Sequence, residues 1–138
     1  MSARFKVVLL LLVLGACATP KEPPAKPFVG TRWQALLELP LAGEQPYIRM
    51  GDGRLEGFGG CNHLNARYIQ DTVGARAIAF GVFSKSKRMC DASVQDAEDR
   101  LLEVLQAASS YAITGDILTM TGSGGTLRFR ALPEEAKR

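Results

Sequence analysis

Residues 111–130 read YAITGDILTMTGSGGTLRFR: three short runs of alternating apolar and polar residues, separated by Gly115-Asp116 and by the glycine-rich step Thr121 to Gly125. Alternation at a period of two puts every other side chain on one face of a strand, and glycine supplies the positive φ that a tight reversal needs. Two short turns between three such runs specify an antiparallel meander. Its apolar face has to be buried, so the rest of the chain must supply the cover.

Towards the N-terminus the same pattern recurs. YIRM (47–50) and RLEGFG (54–59) flank Gly51-Asp52-Gly53, a second hairpin signal. NARYIQ (65–70) and AIAFGVF (77–83) add two more candidate strands, and TRWQALLEL, Thr31 to Leu39, adds one that Pro40 ends. Between Asp91 and Ala108 the period changes. Val94, Ala97, Leu101, Val104, Leu105 and Ala108 recur at three- and four-residue steps, with Asp96, Glu98, Asp99, Arg100 and Glu103 on the opposite side. Asp91 or Ser93 can cap this helix, and acids in its first turns would suit the positive end of its dipole. The expected fold is therefore mainly antiparallel β with one α-helix. About eight short strands curl into a small β-barrel, with the helix packed on one face or opening.

The first twenty residues, MSARFKVVLLLLVLGACATP, have the layout of a bacterial export signal. Arg4 and Lys6 precede the apolar run Val7 to Leu14, which is too short to anchor a helix across a bilayer. Leu14-Gly15-Ala16-Cys17 resembles a lipobox, which implies cleavage before Cys17 and a lipid on that cysteine. Residue 18 is alanine rather than the aspartate associated with inner-membrane retention, so the expected location is the outer membrane, facing the periplasm. Residues 18–27, with four prolines in ten, read as a tether of about 30 Å if extended. The expected organisation is a signal at 1–16, a lipidated cysteine and Pro-rich tether at 17–27, one domain at 28–132, and a charged tail at 133–138.

The formal charge of +3 falls to +1 once Arg4 and Lys6 are removed with the signal, because no acid precedes Cys17. No basic stripe suggests a nucleic-acid partner. Lys85, Lys87 and Arg88 form one local basic cluster, a candidate contact for anionic lipid, peptidoglycan or an envelope protein.

Trp33 with Leu36, Gly60-Cys61-Asn62 followed by Tyr68, Ala77 to Phe80 ahead of Met89-Cys90, and Glu98 with Leu101, Leu102 and Leu105 stand in a specific order. Tyr111-x-Ile113-x-Gly115-x-x-Leu118 with Leu127-x-Phe129 completes the set. In that order and spacing, from about Phe28 to Leu132, the chain resembles the META domain lipoproteins of the HslJ type. The resemblance implies a lipocalin-like barrel with one helix and a role in envelope stress. The stretch Ser84 to Cys90 is more basic than the family pattern.

With Cys17 lipidated, Cys61 and Cys90 remain, and an oxidising compartment favours a disulfide between them. Two buried thiols are the plain alternative. Two chemical alternatives stay open at this point. Cys61 could be a nucleophile with His63, the single histidine, as its base, or Cys61, His63 and Cys90 could hold zinc. The first suffers because strand residues i and i+2 lie ~7 Å apart, and the second because it lacks paired ligand spacings. Asn62 suits a turn, and with His63 and the basic cluster it forms a possible binding surface.

The reading that follows is a non-catalytic, lipid-anchored envelope protein with no metal and no cofactor, acting as a stress-related binding or protective module. The alternative is a lipocalin-like carrier of a small apolar ligand. That would need a partly empty barrel, whereas a small strand number argues for a filled one. A thiol-dependent enzyme using Cys61 and His63 stands third.

Overall fold

The computed structural model describes residues 17, 19–71 and 76–134. The expected export signal at 1–16, the sorting position Ala18 and the tail beyond Glu134 lie outside the described residues. The elements in order are β1 (Arg32–Ala35), β2 (Tyr47–Met50), β3 (Arg54–Phe58), β4 (His63–Gln70), β5 (Ile78–Phe80) and β6 (Ser84–Lys85). They are followed by α1 (Ala92–Gln106), β7 (Ala108–Thr114), β8 (Ile117–Gly122) and β9 (Gly125–Ala131).

Eight strands form one antiparallel path in the order β5-β4-β3-β2-β1-β9-β8-β7, with the two-residue β6 paired to β4. The β2–β3 hairpin and the β7–β8–β9 meander form as the alternation requires, with pairs such as Met50–Leu55 and Met120–Leu127 in register. The two path ends meet through an antiparallel bridge between Ala77 and Ser110, beside which the Tyr111 amide donates to the Arg76 carbonyl at 3.1 Å. The result is a near-closed eight-stranded barrel with α1 packed against β5, β8 and β9. Closure leaves few unpaired edge groups open to other chains.

The core follows from alternation. Trp33 and Ala35, Ile48 and Met50, Tyr68, Leu118 and Met120, and Phe129 point inward from their strands, and Leu101 and Leu105 join them from the helix. Trp33, Ile48, Met50, Leu118, Met120 and Phe129 are fully buried, so the small barrel has a hydrophobic, aromatic interior filled by its own side chains. Every buried core residue lies between Trp33 and Phe129, and the folded unit therefore carries its whole core without the first 27 residues.

One end of the barrel is closed by Phe28. Its ring stacks on Tyr111 at 4.4 Å between centroids and meets Tyr68 edge-on at 5.9 Å, while its carbonyl accepts from the Trp33 indole at 3.3 Å. The Tyr68 hydroxyl donates to the Gly51 carbonyl at 2.6 Å in the β2–β3 turn, and Lys26 N–H donates to the Gly115 carbonyl in the β7–β8 turn. The proline-rich segment therefore enters the fold at this end.

Three expectations need correction. The strand expected over Thr31 to Leu39 stops at Ala35, because the chain beyond it leaves β2 and makes a single backbone bond to β9, from Leu36 N–H to the Arg128 carbonyl. The helix ends at Gln106 rather than Ala108, since Ala108 pairs with Gly122 and begins β7 directly. Its first turn holds no acid, and Asp91 at the N-cap makes no side-chain bond; its carbonyl accepts from Val94 and Gln95 instead.

Candidate functional site

The GGCNH stretch lies at the opposite end of the barrel from Phe28, between β3 and β4. Gly59 N–H donates to the Asn62 carbonyl at 2.9 Å and closes a tight turn, with Gly60 at φ +112°, a conformation that side-chain-bearing residues rarely adopt. Into this turn projects the carboxylate of Glu98, which is 1% exposed and comes from the second turn of α1. Its Oε2 accepts from the Cys61 and Asn62 amides at 3.0 and 2.6 Å. Its Oε1 accepts from Asn62 Nδ2 at 2.8 Å and from Lys85 Nζ at 3.4 Å.

A buried carboxylate is stable only when its lone pairs are met, and here four donors meet them. Burial by itself would push the Glu98 pKa up. The Asn62 side chain and amide, the Cys61 amide and Lys85 outweigh it and hold the acid below its ordinary value. The same packing explains Gly59: a Cβ there would lie 2.6 Å from the Glu98 Cγ and Oε2 atoms, so the turn can reach the acid only without one. Gly59 thus serves a close backbone approach.

The other side of Asn62 ties down residues 86–90. Its Oδ1 accepts from Ser86 Oγ at 3.0 Å and from Arg88 N–H at 2.7 Å, and Cys61 and Cys90 are joined by a disulfide with 5.9 Å between their Cα atoms. The disulfide closes a separation of 29 residues, a cross-link that stabilises by about 3 kcal/mol in the chain-entropy model. It also removes the thiolate that a Cys61–His63 nucleophile would need. His63 faces outward at the start of β4, its ring 5.7 Å from Phe58. Among the described residues no group of three or more His, Cys, Asp or Glu side chains could hold a metal ion. No catalytic constellation is evident among them.

The candidate binding surface is divided by this arrangement. Asn62 is buried with its side chain fully engaged, and Lys85 is drawn to Asp99 at 3.0 Å as well as to Glu98. That engagement, led by Asp99, raises the Lys85 pKa. His63, Lys87 and Arg88 remain exposed at the surface. Glu98 was read from the sequence as part of the polar face of α1. Its spacing to Leu101 and Leu105, three and seven residues on, places it on the buried stripe.

A second feature lies beside α1, where the chain crosses from β1 towards Pro40. A groove of ≈ 810 Å³ runs between residues 36–39, the helix and the β8–β9 turn. Its walls include Leu36, Leu37, Leu39, Leu101, Val104 and Leu127. Leu36 is 36% and Leu39 84% exposed, so apolar surface that the core does not use opens onto this groove. Arg100 of α1, Arg128 of β9 and Glu38 lie at the same site. Sequence patterning could not find the groove, because it is formed by three segments that meet only in the folded chain. Its one signal was Leu36-Leu37 followed by Leu39, three apolar residues within a four-residue window that a single buried strand face would not use.

No curated protein is detectably similar in sequence. Among solved structures, the chain is similar to an NMR structure of a protein from Burkholderia xenovorans. The TM-score is 0.61 at 16% identity, over 78% of this chain and 85% of that one. A second NMR structure matches at a TM-score of 0.58 and 17% identity, over 72% and 87% of the two chains. The crystal structure of a duf4847 family protein from Bacteroides vulgatus ATCC 8482 matches at 0.56 and 14% identity, over 78% and 96%. At such identities these likenesses speak to the fold. The META domain model matches residues 27–134, which takes in the barrel, the helix and the braced turn together, and the chain belongs to the META domain family.

Proposed function

We propose that this chain is a non-catalytic binding module of the cell envelope that takes a small apolar ligand in the groove beside α1. The observation that carries this reading is the contrast between a barrel interior occupied by its own side chains and an adjoining apolar groove of ≈ 810 Å³, a volume within the range of small-molecule sites. The ligand's place is thus on the flank of the barrel, not along its axis. Among the described residues no helix is long and apolar enough to cross a membrane. Attachment in this reading comes from a lipid on Cys17, whose surroundings resemble a lipobox and which the proline-rich segment separates from the domain. Location at the outer membrane facing the periplasm, and a role in envelope stress, belong to the same proposal.

Within its family we read the chain as HslJ type. Supporting this, two separate pieces of that resemblance, Gly60-Cys61-Asn62 and Glu98, are brought together by the fold in one hydrogen-bonded unit.

The test uses the chain from residue 17 with Cys17→Ser, which retains the complete core. An environment-sensitive neutral apolar dye should bind at one saturable site, and Leu36→Asp with Leu39→Asp, at two exposed positions, should abolish binding while leaving the circular dichroism unchanged. Dye uptake without saturation, or only after denaturation, would overturn the reading. The anchor is tested separately by the intact mass of protein extracted from the envelope: a chain beginning at Cys17 and carrying acyl groups is expected, and a Cys17 without added mass would refute it.

A further inference from the structure

We infer that the ligand of the groove is a single-chain amphiphile with a carboxylate head, its acyl chain lying against Leu36, Leu39, Leu101 and Val104 and its head held by Arg100 and Arg128. This rests on the groove being the binding site proposed above and adds the chemistry of what it takes. The argument begins with how the arginines of this chain are engaged. Arg32 is committed to Glu44 at 3.0 Å and covers the Tyr47 ring, Arg130 lies 3.6 Å from Asp116, and Arg49 donates to the Gly30 carbonyl. Among the described residues the guanidiniums of Arg54, Arg67, Arg76, Arg88, Arg100 and Arg128 take part in no ion pair, and of these only Arg100 and Arg128 line the groove.

Both are exposed, and they reach the groove from different elements, Arg100 from α1 and Arg128 from β9. Glu38 is the one acid among the groove's lining residues, so the site carries an excess of one positive charge over an apolar floor. A wholly apolar ligand would leave that charge without a counterpart. A cationic amphiphile would meet like charge. A carboxylate matches the forked donors of arginine, and the apolar walls accept the chain behind it.

Two other clefts among the described residues lack this combination. The cleft of ≈ 560 Å³ by Lys26, Arg32 and Arg49 is mixed in character, with Val29 and Leu132 but without the row of leucines. The ≈ 370 Å³ cleft on the outer face of β2–β4 holds Tyr47 and His63 but has Arg32, already engaged, at its edge. Apolar floor and unengaged guanidinium coincide at the α1 groove.

The experiment is displacement of the neutral dye from the Cys17→Ser chain by dodecanoate, by methyl dodecanoate and by dodecyltrimethylammonium, each below its micelle concentration. Dodecanoate is expected to displace the dye at a concentration about tenfold lower than the ester, with the cation weakest, as two exposed charge contacts would give. In Arg100→Glu with Arg128→Glu, at two surface positions that leave the core untouched, the acid should lose its advantage over the ester, read as the ratio of their two displacement concentrations in that variant. Equal displacement by acid and ester, or an acid preference that survives in the double variant, would overturn the inference while leaving an apolar site standing. Failure of the dye itself to saturate would remove the site and the inference together.

Discussion

The two ends of the barrel are closed by different chemistry. At the end where the proline-rich segment enters, Phe28 lies across Tyr111 and Tyr68, and closure rests mainly on apolar area and ring packing. At the other end a carboxylate from α1 gathers two backbone amides, an amide side chain and a lysine, and a disulfide fixes the neighbouring loop. The first closure is tolerant of change, because dispersion and burial are non-directional. The second depends on its buried members, because a buried donor left without its acceptor costs far more than the bond contributed when made. The directional end is also where residues 36–39, the helix and the β8–β9 turn frame the groove, so the rigid closure borders the proposed binding site.

Breaking the polar end should have the largest effect. Glu98→Ala strands the Cys61 and Asn62 amides and the Asn62 side chain, and should destabilise by about 3 to 5 kcal/mol, measured by denaturant unfolding. Acid probes the same group. Because the folded state holds Glu98 below its ordinary pKa, its contribution is fully present above the unfolded carboxylate value of about 4.3 and is lost as pH falls through the lowered folded value. Stability should therefore decline on acidification, and the part of that decline due to Glu98 should vanish in Glu98→Gln. A flat profile in the parent chain would contradict the brace.

Replacing Cys61 and Cys90 together by alanine should cost about 3 kcal/mol in the same unfolding measurement. Alkylation of the native chain should label neither cysteine before reduction. At the aromatic end, Phe28→Ala should cost only about 1 to 2 kcal/mol, since the ring is half-buried and its neighbours can relax. A loss there equal to that of Glu98→Ala would erase the distinction between the ends. The smallest effect is expected for Lys85→Ala, under about 1 kcal/mol, because the lysine side chain is 42% exposed and Glu98 keeps its three stronger donors.

Much of the barrel was legible because its signals are local. Gly51-Asp52-Gly53 and Gly115-Asp116 mark reversals, alternation in 111–130 marks the inward face, and both are settled within a few residues. The eight-strand barrel with one covering helix could be argued from them, and the expectation of an oxidising compartment pointed to the Cys61–Cys90 bond. What escaped depends on contacts between distant segments. Glu98 was assigned to solvent because an acid on a helix usually faces water; only the turn that receives it, 36 residues away, shows why it is inside. The pairing of Ser84 and Lys85 with β4 left no trace in composition, since two residues carry no period. Residues 36–39 continue an apolar run and so read as strand, while their backbone departs from the sheet.

The most direct test of the account is to map a saturating neutral apolar probe onto the 15N-labelled Cys17→Ser chain by its amide shifts. The account predicts changes at residues 36–39, 97–104 and 124–128, with the amides of Trp33, Met50, Met120 and Phe129 unmoved. Changes concentrated at those interior residues would place the ligand within the barrel and contradict it.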